Sequence, residues 1–447
     1  MHNFRPRNQD RSRSSANRKN VVWTKVWFWI PAILFGTLIF TSSFGLEIAK
    51  LGSQAPEHAE TGEEGQSTLA MQTVLMIAYG LLGGGLLLRH NERKNYSTYW
   101  PVVLLVACLV AYILASVSWS DDPKRTVRKG VLVACVLLGG MGIGKTWSHI
   151  EFCHAIIGCS TTFLLIGVFD EIYFGNFLRG GGDYRFSGVF HPNIQAFSCA
   201  LMILACSSMY HVSGRKYYLL LAVFVGCFLI LTKGRTVTAG VCVASVWLWW
   251  KYFSFRTLVI LAPLAGLGLS LVLLGFSFSS EPQDVIGSVG RMGREDETAN
   301  PTTLTGRLPI WQEALSDFTK RPILGYGYGA YWMPRRMEYY ERLTGWSFNH
   351  SHSVYIESLL DLGFLGAVIG LLLVIVTVYR ALGMRNSAAA NGGRFVVTIA
   401  IFAVVTGFSE TAFVGQGYPA LVGAICIGYI AFQGTDYRTR YSLQRKY

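Results

Sequence analysis

The repeated long apolar runs limit what this chain can fold into more than any other feature of its sequence. A helix needs about 20 mostly apolar residues to cross the hydrocarbon core of a membrane. Twelve segments approach this requirement, namely residues 23–42, 69–88, 100–118, 130–147, 152–172, 193–212, 217–232, 237–253, 257–277, 353–379, 394–413 and 416–433. We therefore predict an all-α polytopic membrane protein with about 12 transmembrane helices.

Composition and charge agree with a membrane protein. Of the 447 residues, 51% are hydrophobic and only 15% are charged, whereas a soluble domain carries about a quarter charged residues. These values exclude a disordered chain and argue against a soluble enzyme. The formal net charge is +13, and the basic residues lie in short segments between apolar runs. This distribution is typical of membrane topology and does not indicate a nucleic-acid partner.

The same charge distribution predicts the orientation of the chain. The basic N-terminal segment and the basic short connections favour an even number of spans with both ends in the cytoplasm. The predicted regions are a basic cytoplasmic tail (1–22), nine spans (23–277), one large extracytoplasmic loop (278–352), three spans (353–433) and a cytoplasmic tail (434–447). The loop is too long for a simple connection, and long loops on a rigid scaffold often carry function.

Two histidines lie where this loop enters the tenth predicted span, in the sequence Asn349-His350-Ser351-His352-Ser353. Histidine is a natural general base near neutral pH, because its unperturbed pKa is about 6.5. The pair could also bind a metal, or both could be ordinary interfacial residues. A metal site needs three or four ligands, and only Glu357 and Asp361 are near in sequence. We therefore predict no metal and keep the other two interpretations open.

Acidic residues close to the predicted membrane surface also have two interpretations. Glu357 and Asp361 share one face of a helix, where they either stabilise the helix N-terminus or serve function, with Glu357 orienting a histidine. Glu410 falls near the outer end of the eleventh predicted span. It is a further candidate, because ionisable residues inside a membrane are costly and usually functional.

Several arginines lie on the predicted outer side, against the general trend of positive charge. Arg185, Arg235 and Arg307 belong to three separate outer segments. A single outer arginine most often contacts lipid headgroups. Arginines from separate loops instead favour a cradle for an anionic ligand, because guanidinium binds phosphate oxygens in a bidentate manner and keeps its charge.

Short motifs follow one another in a fixed order between about residues 185 and 370. They are Arg185, Gly188 and 191–193; 233–236; Gly306, Arg307 and Trp311; 321–327; and 350–353, 355–357 and Gly363. Their order and spacing resemble the O-antigen ligase / Wzy polymerase superfamily. Within it the chain is most similar to ExoQ-type exopolysaccharide polymerases, partly through residues 119–123. Ser353 departs from the pattern, because the family often has Asn there.

The resemblance implies a GT-C-like glycosyltransferase of the bacterial cytoplasmic (inner) membrane that uses neither a metal nor another cofactor. It implies a polyprenyl-pyrophosphate-linked oligosaccharide as donor, a lipid-linked repeat unit as acceptor at the periplasmic face, and a flippase and a chain-length regulator as partners. His352, with His350 second, would accept the proton of the acceptor hydroxyl. Arg235 and Arg307, with Arg185 third, would bind the pyrophosphate. Direct displacement would invert the anomeric carbon.

Two alternatives to a polymerase stay open. An O-antigen ligase uses the same donor and transfers finished glycan to a lipid A core, so the sequence separates the two poorly. A secondary transporter also suits 12 spans, but it predicts inverted repeats and broken helices near the membrane midplane. The two halves of the sequence show no convincing similarity, and the polar candidates gather at the outer surface. We therefore favour polymerisation of exopolysaccharide repeats.

Overall fold

The structure, a computed structural model, describes residues 33, 36–37, 63–89, 98–178, 184–188, 191–250, 307–344, 350–384 and 389–432. Within these ranges every long element is a helix and none is a strand. The helices are α1 (Glu63–Leu88), α2 (Trp100–Ala115), α3 (Pro123–Thr146), α4 (His149–Tyr173), α5 (Pro192–Ser213), α6 (Tyr217–Leu231), α7 (Arg235–Trp249), α8 (Arg307–Lys320), α9 (Pro334–Thr344), α10 (Val354–Gly383), α11 (Ala390–Thr406) and α12 (Tyr418–Phe432). A 3₁₀ turn, Ser116–Trp119, extends α2.

Ten of the predicted spans coincide with helices. The other two predictions, 23–42 and 257–277, lie outside the described residues apart from three positions of the first. The helices α1 to α5 and α10 are long and apolar enough to cross a membrane, whereas α6, α11 and α12 are shorter apolar helices. The chain is therefore a multi-pass helical membrane protein. The total of 12 spans and the large outer loop remain predictions.

The helix α3 lies between α1 and α12 and is the centre of the packing. Its glycines leave no room for a Cβ atom, because Gly142 contacts the backbone of Gly83 in α1 and Gly144 contacts the backbone of Tyr429 in α12. In a membrane, small residues allow this close approach, and dispersion contacts between the helices stabilise it. The glycines of α3 thus fix the spacing of three helices.

Capping places the start of α3 earlier than the apolar pattern predicts. The side chain of Asp122 accepts a hydrogen bond from the N–H of Arg125, and Pro123 occupies the first turn. Proline is favourable there because its missing N–H would have no partner within the helix. The helix therefore begins seven residues before the predicted span of 130–147, and its first two turns are rich in Lys and Arg.

The helix α11 ends at Thr406, well before the predicted end at residue 413. Residues at the start of α10 donate hydrogen bonds to two carbonyl groups that would accept bonds from within α11 if that helix were longer. The N–H of Val354 donates to the Gly407 carbonyl (2.9 Å), and the Tyr355 hydroxyl donates to the Val404 carbonyl (2.8 Å). Glu410 therefore lies beyond the end of α11 rather than within the helix.

Part of the long loop has a small apolar core of its own. The helix α8 packs on α10 and on α9. Together with the segment between α8 and α9, these helices bury Ile310, Trp332 and Tyr340. The Tyr331 hydroxyl donates to Asp317 Oδ2 (2.6 Å) and lies 2.8 Å from the Tyr340 hydroxyl. This part of the loop is therefore a folded element rather than a simple connection.

The helix α10 is broken at Gly363, whose φ of 65° and ψ of −170° are not helical. The loop segment between α8 and α9 pairs with the backbone at this break. The N–H of Tyr326 donates to the Leu360 carbonyl (2.8 Å), and the N–H of Phe364 donates to the Pro322 carbonyl (2.8 Å). These bonds satisfy backbone groups that a broken helix would otherwise leave unpaired.

The residues 119–123 attach the same loop segment to α2 and α3. The N–H of Asp121 donates to the Tyr326 carbonyl (3.0 Å). The Asp121 carboxylate pairs with Arg321 (2.7 Å) through one oxygen and with Arg336 (2.8 Å) through the other. The motif that contributes to the ExoQ-type resemblance is thus a structural connection between the helix bundle and the loop.

We expect Gly363→Ala to destabilise the protein by about 2 kcal/mol or more, because alanine is strained in this backbone conformation. The added Cβ would also meet the backbone of Ile323. Gly370→Ala in the same helix is the matched control, since no atom lies within 4 Å of its added Cβ. Thermal unfolding midpoints in detergent compare the two variants, and equal midpoints would show that the pairing does not require glycine.

Candidate active site

Segments that are distant in sequence meet at one end of the helix bundle. They are 184–188, the residues 191–193 at the start of α5, the turn 232–236 between α6 and α7, the first residue of α8, the residues 350–353 before α10, and the turn 407–410 after α11. We call residues 350–353 the strap. Apart from Asp361, which is buried one turn beyond Glu357 in α10, every candidate site residue of the sequence belongs to one of these segments or to the first turn of α10.

The strap carries both candidate histidines, and two side chains hold its middle residue. Trp311 Nε1–H donates to the Ser351 carbonyl (2.8 Å), and the Ser351 N–H donates to Glu357 Oε2 (2.9 Å). The ring centroids of His350 and His352 are 4.1 Å apart. Trp311 and Glu357 therefore fix a backbone that presents two imidazole rings side by side.

The backbone of His352 has a positive φ of 54°. This conformation costs a non-glycine residue roughly 1–2 kcal/mol. Neighbouring hydrogen bonds enforce it: the Ser351 hydroxyl donates to the Ser353 carbonyl (3.0 Å), and the Ser353 hydroxyl donates to the Gly407 carbonyl (3.4 Å). Strain that the surroundings enforce is common at functional sites. Here the positive φ determines the direction in which the imidazole of His352 projects.

Glu357 bonds to the loop as well as to the strap. Both of its oxygens lie 3.0 Å from Trp332 Nε1, which donates to them, and Oε2 also accepts the Ser351 N–H. Its carboxylate thus joins the apolar core of the loop to the backbone between the two histidines. This geometry supports an orienting role for Glu357 over simple stabilisation of the helix N-terminus, and the role itself stays a prediction.

Burial and nearby positive charges favour the neutral form of both histidines at physiological pH. Burial lowers the pKa of His350 to about 4, and the nearby positive charges of Arg307 and Lys129 act in the same direction. Burial lowers the pKa of His352 to about 2, with further lowering by His350 and Arg307. A neutral imidazole keeps one nitrogen that accepts a proton. The hydrogen bond from Trp311 to the Ser351 carbonyl also places the strap beside the start of α8.

Two side chains connect Arg307 to Arg185. Arg307 donates through Nη1 to the Ser409 carbonyl, and its Nη2 lies 3.5 Å from Glu410 Oε1. The same Glu410 oxygen accepts from Asn193 Nδ2 (3.2 Å), and Asn193 Oδ1 accepts from Arg185 Nη2 (3.0 Å). The structure therefore brings two of the three predicted anion-binding arginines into one hydrogen-bonded network.

Arg235 begins α7, and its neighbour connects it to the same network. The Ser409 hydroxyl donates to Thr236 Oγ1 (2.6 Å), and the Ser409 carbonyl binds Arg307. The side chain of Arg235 is half-buried. All three predicted arginines thus lie at the end of the bundle that carries the strap. Their role in binding an anion remains a prediction.

Asn193 and Ser409 make contacts that the sequence does not predict. Asn193 belongs to the motif 191–193, and its amide offers both a donor and an acceptor. An asparagine amide can therefore bond to a carboxylate and a guanidinium at once, as Asn193 does with Glu410 and Arg185. This capacity was the signal that the sequence offered. Ser409 contacts Arg307 through a backbone carbonyl, and such a contact leaves no signal in the sequence. Glu410 did carry a signal, as an acid beside an apolar run.

The alternative interpretation of the two histidines as metal ligands needs further donors. In the described part of the chain, no three His, Cys, Asp or Glu side chains are close enough together to hold a metal ion. The nearest acid in sequence, Glu357, bonds to Trp332 and Ser351. Two histidines alone are fewer than the three or four ligands that protein metal sites use.

Two comparisons with known proteins bear on this end of the bundle. Residues 220–371 match the Wzy_C family, described as O-antigen ligase, and this stretch includes Arg235, Arg307 and the strap. Over 332 residues the chain is 23% identical to the exopolysaccharide production protein ExoQ of Rhizobium meliloti (strain 1021), covering 69% of this chain and 71% of that protein. These matches confirm the resemblance of the chain to the O-antigen ligase / Wzy polymerase superfamily and, within it, to ExoQ.

Proposed function

We propose that this protein polymerises an exopolysaccharide. It transfers glycan from a polyprenyl pyrophosphate to a lipid-linked repeat unit at the periplasmic face, without a metal and with inversion of the anomeric carbon. The comparisons support the broader class of polysaccharide polymerases and ligases. The observation that carries the finer proposal is a pair of neutral imidazoles beside a network of arginines. The strap and Arg307 both donate hydrogen bonds to carbonyl groups of the turn 407–410.

The reaction forms a bond between the acceptor hydroxyl oxygen and the anomeric carbon of the donor. The bond from that carbon to the pyrophosphate breaks, and its electron pair leaves with the pyrophosphate. The hydroxyl proton passes to a ring nitrogen of His352, which is neutral and able to accept it. The guanidinium groups of Arg307, Arg235 and Arg185 stabilise the negative charge that grows on the leaving group.

Binding of the donor also makes His352 a stronger base. Before the donor binds, burial and the charge of Arg307 keep the pKa of His352 far below its ordinary value. A pyrophosphate bound by Arg307 adds negative charge near the ring, which favours the protonated form and raises the pKa of His352. Proton transfer is most efficient when that pKa lies near the operating pH. This sequence of events favours binding of the donor before the acceptor reacts.

An O-antigen ligase is the second candidate, because the matching family carries that description. Both enzymes would use the same donor and differ in the acceptor. Purified protein given lipid-linked repeat units would make products of increasing length if it is a polymerase. A ligase would instead modify a lipid A core once. In a bacterial inner membrane, the polymerase would work with a flippase that delivers repeat units and a chain-length regulator.

The break in α10 meets one expectation for a secondary transporter, because transporters often have broken helices at their binding sites. At Gly363, however, the exposed backbone groups bond to the chain's own loop: the N–H of Phe364 to Pro322, and the carbonyl of Leu360 to Tyr326. The candidate residues also gather at one end of the bundle instead of at its middle. These observations favour glycosyl transfer over transport.

We expect His352→Ala to lower the polymerisation rate by about 10²–10⁴-fold, the usual contribution of general acid–base catalysis. His350→Ala should lose less, because we assign it to positioning. The measurement is polymer formation by purified protein with lipid-linked repeat units. His154→Ala is the control, since that ring bonds to the Tyr218 hydroxyl near the start of α4. Near-normal turnover in His352→Ala would refute the base, and inhibition by EDTA would restore the metal interpretation.

Arg307→Lys and Arg235→Lys are each expected to lose most activity, because an ammonium group cannot replace the planar fork of guanidinium. Loss of one charge-assisted hydrogen bond corresponds to a fall of about tenfold to a hundredfold in kcat/KM for the donor. Arg342→Lys on α9 is the control, because Arg342 is exposed. Polymer yields like the wild type from both site variants, at equal protein levels, would rule out the pyrophosphate role.

The pH dependence should follow the lowered pKa values of the histidines. A base is lost as pH falls through its pKa, and burial lowers the pKa of His352 to about 2. We therefore expect kcat/KM, which reports the free enzyme, to stay level between about pH 5.5 and 8. The acid limb of kcat should lie at higher pH than that of kcat/KM, because bound pyrophosphate raises the pKa of His352. An acid limb of kcat/KM centred near 6.5 would contradict a buried base.

A further inference from the structure

Glu171 is a buried carboxylate that belongs neither to the strap nor to the network of Arg307 and Arg185. It lies in the last turn of α4 and is 4% exposed. A negative charge is unfavourable there, because the C-terminus of a helix carries partial negative charge of its own. Burial of a charge is also costly unless hydrogen bonds compensate it. The position of Glu171 therefore depends on its hydrogen bonds.

Those hydrogen bonds come from the segment 184–188. Glu171 Oε1 accepts the N–H of Ser187 (2.9 Å) and the N–H of Gly188 (2.8 Å). Glu171 Oε2 accepts the hydroxyl of Tyr184. Bonds to an ionised carboxylate are stronger than bonds between neutral groups. One buried side chain thus holds this segment at three positions.

Arg185 lies between the residues that Glu171 holds, directly after Tyr184 and shortly before Ser187. The residue between, Phe186, is buried against Phe228, with ring centroids 5.1 Å apart. The backbone around Arg185 is therefore fixed on both sides. Contacts other than those of its guanidinium therefore determine where Arg185 leaves the backbone.

The guanidinium of Arg185 reaches two acceptors from this fixed backbone. Its Nε donates to the Thr232 carbonyl (3.1 Å), and its Nη2 donates to Asn193 Oδ1 (3.0 Å). Asn193 in turn bonds to Glu410, the partner of Arg307. The position of Arg185 in the arginine network thus depends on the bonds that Glu171 makes to the backbone around it.

We propose that Glu171 is a positioning residue for the donor pyrophosphate and acts through Arg185. It holds the segment 184–188 so that the guanidinium of Arg185 joins the network with Arg307. This inference rests on the proposed glycosyl transfer from a polyprenyl pyrophosphate. The contribution of Glu171 is geometric, because two of its three strong bonds are to backbone amides that move with Arg185.

Steady-state kinetics of the full-length protein in detergent test this role. Glu171→Ala should raise the donor KM by about tenfold to a hundredfold, the effect of misplacing one charge-assisted hydrogen bond. The acceptor KM should stay unchanged. Glu171→Gln should retain most of the donor affinity, because its amide oxygen still accepts the N–H groups of Ser187 and Gly188. Equal defects in the alanine and glutamine variants would overturn the geometric role.

A double-mutant cycle separates action through Arg185 from a general loss of structure. In an Arg185→Ala background, adding Glu171→Ala should change the donor KM by less than about twofold, because residues that act as one unit are not additive. If the double variant instead raises the donor KM by the product of the two single effects, the inference is overturned. If Glu171→Ala does not give folded protein, Tyr184→Phe removes one bond and serves in the same cycle. It should raise the donor KM a few-fold in the wild-type background alone.

Glu313→Ala is the matched control, because Glu313 also accepts a tyrosine hydroxyl, that of Tyr339 (3.2 Å), but on α8. It should leave the donor KM unchanged. Measuring the binding of a polyprenyl pyrophosphate to the wild type tests the proposed function separately from the role of Glu171. Wild-type protein that neither binds this lipid nor polymerises repeat units would overturn the proposed function. An active wild type with an unchanged donor KM in Glu171→Ala would overturn the role of Glu171 alone.

Discussion

Backbone hydrogen bonding across the break in α10 is the constraint on which the rest of the site depends. A helix cannot be interrupted within a membrane protein unless other groups take over its N–H and C=O partners. Here the partners come from the loop between α8 and α9, where the N–H of Tyr326 donates to Leu360 and the carbonyl of Pro322 accepts from Phe364. The loop is therefore part of the bundle rather than an appendage to it. The strap, which joins that loop to α10, gains a fixed position as a consequence.

The charges of the site are arranged around this fixed frame. Arg307 and Glu410 are each only 14% exposed in their side chains, and charges so poorly hydrated need partners. The turn after α11 supplies them, since it contributes both the Glu410 carboxylate and the Ser409 carbonyl. Preorganised groups of this kind stabilise developing charge without further rearrangement. In the proposed reaction, the pyrophosphate would share Arg307 with Glu410, so this carboxylate would moderate the affinity for the donor.

The motifs that resemble the superfamily acquire distinct physical roles in the structure. Residues 119–123 and the loop glycines hold the loop against α2, α3 and α10, because Asp121 pairs with two loop arginines and Gly325 leaves no space for a Cβ beside the Leu360 carbonyl. Arg185, Arg307 and the strap supply polar groups at one end of the bundle. The motifs that carry the resemblance therefore include residues that hold the loop in place as well as candidate reactive groups.

The sequence by itself determined the class of fold and the set of candidate residues. Apolar runs of membrane-spanning length predict helices, because only internal hydrogen bonding satisfies a backbone in lipid, and ten of those predictions coincide with helices of the described residues. The tertiary structure decided where α11 ends, where α10 breaks, that Asn193 bonds to Arg185, and that Glu171 bonds to the backbone of the same segment. Each of these depends on hydrogen bonds between segments far apart in the chain, several of them to backbone atoms. Local patterns of hydrophobicity and charge do not specify such partners, because the partners come together only when the chain folds.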